Sequence, residues 1–139
     1  MSGSVIIREL LAQNPSVTAI VPSDMASARL VAGALKQDAK LPAISVTSIS
    51  SNEVWTTAQN LTTKMVRERI QVTCYATEFA VMERLLKVCA LSRGVHTGIV
   101  KGYKVRSVMR EDVGPYLPPV GDNIHEQSRD FMVTFMEAN

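Results

Sequence analysis

His96, His125, Cys74, Cys89 and the adjacent acids Glu111-Asp112 are the side chains of this chain that catalysis or metal binding would draw on first. A catalytic triad needs a nucleophile, a base and an orienting group within hydrogen-bond reach, and no serine or carboxylate stands at a telling spacing from either histidine. Both histidines fall in predicted loops and read as surface residues. The cysteines lack C-x-x-C spacing and a clustered histidine, so zinc is a poor reading. They fall instead on apolar faces of a predicted strand and a predicted helix, where a free thiol acts as a small hydrophobe, and a reduced compartment is expected. Glu111 and Asp112 adjoin a strand end. Neighbouring strand residues point to opposite faces, so the pair reads as a solvated loop entrance, not a paired acid or hard-metal site. The glycines form neither G-x-G-x-x-G nor a Walker loop, which removes the usual backbone cradle for phosphate. The sequence predicts no catalytic residue, no cofactor and no metal site. A small enzyme whose distant residues converge in the fold remains the alternative.

Contact chemistry is better represented. Arg67 and Arg69 alternate on one predicted strand, and Lys104, Arg106 and Arg110 lie on another. Should those strands pair, the cations form a stripe suited to acidic residues of a partner; the alternative is a solvated face of little energetic weight. Trp55 is the only tryptophan and sits in a Ser/Thr/Asn-rich stretch. Exposed, it would suit a partner contact; folded back, it would cover a core edge. The candidate interface residues are Trp55, Arg67, Arg69, Arg106, Arg110 and, in a turn-rich segment, Tyr116. A net charge of +2 is too small to hold the chain on nucleic acid by itself.

The elements that must position these residues follow from periodicity. Ser4 to Gln13 places Val5, Ile6, Ile7 and Leu10 on one side of a short helix that Asn14-Pro15 ends, and Ser16 can cap a further turn through Val21. Ala28 to Val31 reads as a brief strand, against a competing alanine-rich helix spacing. Leu41-Pro42 opens a strand from Ala43 to Ile49, and proline fits a strand's first residue. Ser50 to Lys64 reads as a long loop or extended hairpin, a length often functional in compact domains. From Val66 to Ala76 the alternation is strict: Ile70, Val72, Cys74 and Ala76 face one way, Arg67, Arg69, Gln71 and Thr73 the other. Glu78 to Ser92 sets Phe79, Met82, Leu85, Leu86, Val88 and Cys89 on an apolar helix face, read as core, with Gly94 ending the helix. Tyr103 to Val113 is a strand whose apolar phase slips from Val105 to Val108, as a bulge would produce. Gly114 to Asp122 is turn-rich. Arg129 to Met136 closes the chain as a strand apolar on both faces, so one face is free to meet a neighbouring subunit.

These elements predict an α+β fold, an antiparallel or mixed sheet of four to five strands with two main helices packed on one face. At 139 residues the chain is expected to form a single domain, 1–139, and its 46% hydrophobic and 20% charged residues argue against global disorder. No apolar run approaches the roughly 18 residues of a membrane span, and no basic segment precedes an apolar run and cleavage site, so a soluble, unexported product is expected.

The ordered features resemble the tail completion proteins, or tail terminators, of long-tailed bacteriophages and related prophages. The resemblance covers nearly all the chain. It is carried by Leu10-Leu11 followed by Pro15, Val17, Ala19 and Val21; by Leu41-Pro42 opening a strand; by Val72-x-Cys74-Tyr75-Ala76 running into a helix; and by Glu111-Asp112 followed by a loop and Arg129-Asp130-Phe131-x-Val133-x-Phe135. Each motif is weak alone; order and spacing give the match its specificity. One departure is the indistinct Ala28 to Val31 region, where the family would show a clearer strand and turn. The resemblance implies a structural subunit, not an enzyme, made in the bacterial host cytoplasm and residing in the virion tail. It implies a ring homo-oligomer, commonly a hexamer, that meets the tail tube protein on one side and the head connector protein on the other, with DNA passing through. The segments 50–64 and 114–126 are its candidate contact loops. A neighbouring head-tail connector or minor tail component is the competing assignment.

Overall fold

The computed structural model describes residues 2–24, 28–35, 39–54, 62–91, 98–121 and 123–138. Along the chain come α1 (Ser2–Ala12), α2 (Pro15–Thr18), β1 (Leu30–Ala32), β2 (Ala43–Val54), β3 (Thr63–Ala76), α3 (Phe79–Val88), β4 (Gly98–Val100), β5 (Tyr103–Val113) and β6 (His125–Ala138). The strands form one six-stranded sheet in the order β1-β2-β3-β6-β5-β4. Only β1 and β2 run parallel; every other neighbouring pair is antiparallel. The result is α+β with a mixed, strongly curled sheet. Among the described residues there are six strands, not four to five. The unforeseen strand is β4, which is three residues long and too short to show an alternation.

Strand alternation decides which face the helices take. Val66, Ile70, Val72 and Cys74 of β3, Phe131, Val133 and Phe135 of β6, and Val105 and Val108 of β5 are all buried in one apolar cluster with Ile6, Ile7, Leu10 and Leu11 of α1 and Leu85 and Leu86 of α3. Both longer helices therefore cover the same face. Val5 is the exception on α1 and is exposed. The apolar slip read in β5 is a bulge: Val105 pairs with Phe135 but Ser107 pairs with Thr134, so Arg106 is the extra residue and Val108 returns to the core.

α2 is capped by Asn14, whose Oδ1 accepts from the Ser16 N–H at 3.0 Å, and Pro15 takes its first turn. Ser16 is therefore inside the helix and not its cap: a proline lacks the donor that the first turn leaves unpaired anyway. Of the 50–64 segment, the described residues 50–54 and 63–64 are strand, with β2 and β3 paired antiparallel out to Val54 opposite Met65. Residues 55–61 and 92–97 lie outside the described residues, and with them Trp55, His96 and Gly94.

Among the described residues one charged side chain joins the core. Glu68 is 1% exposed, on the helix-covered face of β3. Its carboxylate meets the start of α1, where Oε1 accepts from the Gly3 N–H at 3.4 Å. The unpaired amides of a helix N-terminus favour a negative group, which offsets part of its burial cost. The approach needs glycine: a Cβ on Gly3 would stand 2.9 Å from the Glu68 carboxyl carbon and 3.0 Å from Ile70 Cδ1.

Candidate interface surfaces

The opposite phase of the same strands makes a face without helices. Arg67, Arg69, Gln71, Thr73 and Tyr75 of β3 share it with Asp130, Met132, Thr134 and Met136 of β6 and with Lys104, Ser107 and Met109 of β5. Four methionines meet there in two directly opposed pairs, Met65 with Met136 and Met109 with Met132. Flexible, polarizable methionine suits a surface that must adapt to what it meets. These four were not singled out from the sequence as a group; the signal was the odd-phase methionine of a strand that reads apolar on both faces.

β6 lies between β3 and β5, so the two arginine-bearing strands are neighbours of one strand and not of each other. The expected stripe is thus divided. Arg69 is neutralised locally: its Nε donates to Asp130 Oδ2 at 3.0 Å, and its Nη2 lies 2.8 Å from Asp130 Oδ2 and 3.2 Å from Asp112 Oδ2. The hydrogen bonds it donates to Asp130 and then Asp112 hold its guanidinium above the ordinary arginine range. Asp112, read as solvated, is largely exposed and reaches across to this arginine. Arg67 and Arg106 are exposed and have no carboxylate partner among the described residues; Thr134 stands between their strands.

Arg110 belongs to the other face. It is opposite the buried Phe131, and its Nε donates to the Ala90 carbonyl at 2.8 Å, just past α3. A cation near a helix C-terminus complements the negative end of the helix dipole. Arg129, also on that face, has its charge disfavoured by burial and then by the nearby Arg110, which lowers its pKa.

A third surface lies where β5 ends and β6 begins. Tyr116 stacks on His125 with centroids 5.8 Å apart, its hydroxyl hydrogen-bonded to His125 Nδ1, while Phe79 meets the Tyr116 ring edge-on at 5.1 Å. His125 is the first residue of β6, not a loop residue. Phe79, read as core, is 46% exposed because it opens α3 beyond the sheet and packs on this aromatic group instead. Leu117, which bridges to Glu126 beside His125, adds an exposed apolar side chain to this patch. Among the described residues no three of His, Cys, Asp and Glu converge as metal ligands. No helix among them is long and apolar enough to cross a membrane.

No family model matches the chain, and no curated protein matches it. Among solved structures, a chain of the virion of a native gene transfer agent (GTA) particle matches with a TM-score of 0.64 over 96% of this chain and 94% of that one, at 8% identity. At that identity the likeness is one of fold.

Proposed function

We propose that this chain is a non-enzymatic virion component, the tail completion or terminator subunit of a phage-like particle. In this reading copies form a ring, with hexamer the expected number, on the head-proximal end of the tail tube. One side of the ring matches the last ring of tube protein; the other lacks the surface to accept another and is offered to the head connector. Stopping growth in this way needs mismatch on one side as well as attraction on the other, and no covalent bond is made or broken. DNA would pass through the ring without being read.

The observation that carries the proposal is the near full-length fold match to a chain of a GTA virion; the tail-terminator role within such a particle is added by the resemblance read from the sequence. The helix-free face, with its opposed methionines, Arg67 and Arg106, and the aromatic patch around Tyr116 give such a subunit separate surfaces for separate partners. Electron microscopy of particles assembled without this chain tests it. Overlong tails detached from heads are expected; tails of normal length joined to heads would assign the chain to another role.

A further inference from the structure

Four strands of the sheet are long, β2, β3, β6 and β5, and each runs antiparallel to the next. β1 and β4 cap the two outer ones only briefly. β1 covers β2 at Ile44–Val46, and β4 covers β5 at Tyr103–Val105. Beyond those caps no strand among the described residues pairs with the outer edges of Thr47–Val54 and Arg106–Val113. An open edge presents unpaired N–H and C=O groups to any strand that fits, and lone edges are normally guarded by charge or proline. The β2 edge has one charged residue, Glu53, and no proline, whereas the β5 edge carries Arg106, Arg110, Glu111 and Asp112, so β2 is the unguarded partner of the two. Ile49 on β2 is 52% exposed, and Met109 and Val113 on β5 are 47% and 51% exposed.

The registers put the two bare edges at the same height. Val46, the last residue covered by β1, shares a rung with Val72, Arg129 and Val113; Val105, the last covered by β4, shares one with Phe135, Val66 and Glu53. Between those rungs both edges are bare, over 47–52 on one side and 107–112 on the other. Resting on the ring reading above, we infer that copies of this chain join head to tail by pairing the bare β5 edge of one with the bare β2 edge of the next, making one continuous curled sheet. The direction is right without adjustment. β2 and β5 run oppositely, so copies related by rotation about an axis along the strands meet as an antiparallel pair, and the two surfaces differ, as ring closure requires. The junction is bracketed by β4 at one end and by β1 of the next copy at the other, which fixes its length near six residues, an ordinary strand pairing. Bulges at Ser48/Ser50, Val105/Ser107 and Arg110/Val113 add the curl that a closing sheet needs, the first and last of them lying within the junction itself.

The experiment uses full-length chain carrying Asn52→Cys and Ser107→Cys with a bismaleimide. Within one copy these positions lie on one rung three strand spacings apart, about 14 Å along the sheet, and a link made there leaves the chain monomeric; across the junction they are neighbours and a link joins two copies. Both native cysteines are buried. The double variant is expected to give a ladder of covalent oligomers ending at the closed ring, in concentrated solution or in assembled particles, while each single variant stays monomeric. Dimers from a single variant would mean a two-fold contact and overturn the inference; so would the absence of a ladder in both settings.

Two further changes sit on the β2 edge. The Ile44 N–H and the Val46 carbonyl point outward to the β1 side. Ser51, opposite Glu68, also points its N–H outward, because β3 bonds to β2 through the alternate residues Thr73, Gln71, Arg69 and Arg67. Ser51→Pro thus spares the internal ladder, and exposed Ile49→Lys adds a guard. Each is expected to weaken the ladder about tenfold with an unchanged melting temperature, the loss of one or more backbone hydrogen bonds at the junction. A ladder unaffected by both would overturn the inference. Tail length and the ladder are independent readouts: normal tails in the chain's absence remove the terminator reading, whereas a missing ladder removes only the edge pairing.

Discussion

β3 and β6 each present two faces that alternate residue by residue, and the two differ in what they can lose. On the covered face Ile70 opposes Phe131 and Val66 opposes Phe135, all buried beneath the helices. On the bare face Arg67 opposes Thr134 and Met65 opposes Met136 in contact with solvent. The covered face holds most of the apolar core, whereas the bare face, outside the Arg69–Asp130–Asp112 cluster and the buried Thr73, and the uncovered sheet edges are free for contacts. Truncation should therefore act on folding on one side and on assembly on the other.

The largest stability loss is expected on the covered side. Phe131→Ala removes a fully buried ring and should lower unfolding free energy by about 3–5 kcal/mol in a urea titration. A smaller loss, about 1–3 kcal/mol, is expected for Gly3→Val, because the added side chain meets the buried Glu68 carboxyl and Ile70 Cδ1, which must shift to admit it. Were Gly3→Val neutral, the seating of α1 on Glu68 would not be tight.

Next comes a pH effect. Cys74 lies 4.0 Å from Cys89, and that contact together with burial raises its pKa well above the ordinary thiol value. A raised pKa means that the folded state holds the proton after the unfolded state has released it. Its contribution is complete below the unfolded value, about 8.5, and shrinks as pH rises from there toward the folded value. The urea midpoint should fall above that pH, less steeply in Cys74→Val, and Cys74 should resist a thiol reagent until the chain unfolds.

Least affected in stability should be Arg67→Glu with Arg106→Glu. Both side chains are exposed and unpaired among the described residues, so the change should stay within about 0.5 kcal/mol while particle assembly is lost. Intact assembly with this double variant would move the contact surface off the bare face.

Much of the covered side was legible in the sequence because burial imposes a period. The strict alternation of 66–76, the slipped phase at Val105 to Val108 and the closing strand all appear in the sheet. What escaped was set by partners distant in the chain. Arg110 alternates like its neighbours, yet the bulge between Val105 and Ser107 decides its face, and two carboxylates reached through β6 and the end of β5 neutralise Arg69. Phe79 fits a core stripe by spacing; only the position of α3 relative to the sheet leaves it outside. The bare edges are invisible in sequence, since a strand reads the same whether one or both of its sides are paired.

The most direct test of this division combines both readouts in one variant. Ser51→Pro, first shown to melt at the wild-type temperature, is supplied to particles assembling without the native chain, and tail lengths are measured by electron microscopy. The expected result is the overlong, headless tails seen when the chain is absent altogether. Tails of normal length joined to heads would contradict the account, because a folded subunit with a blocked edge would then still do its work.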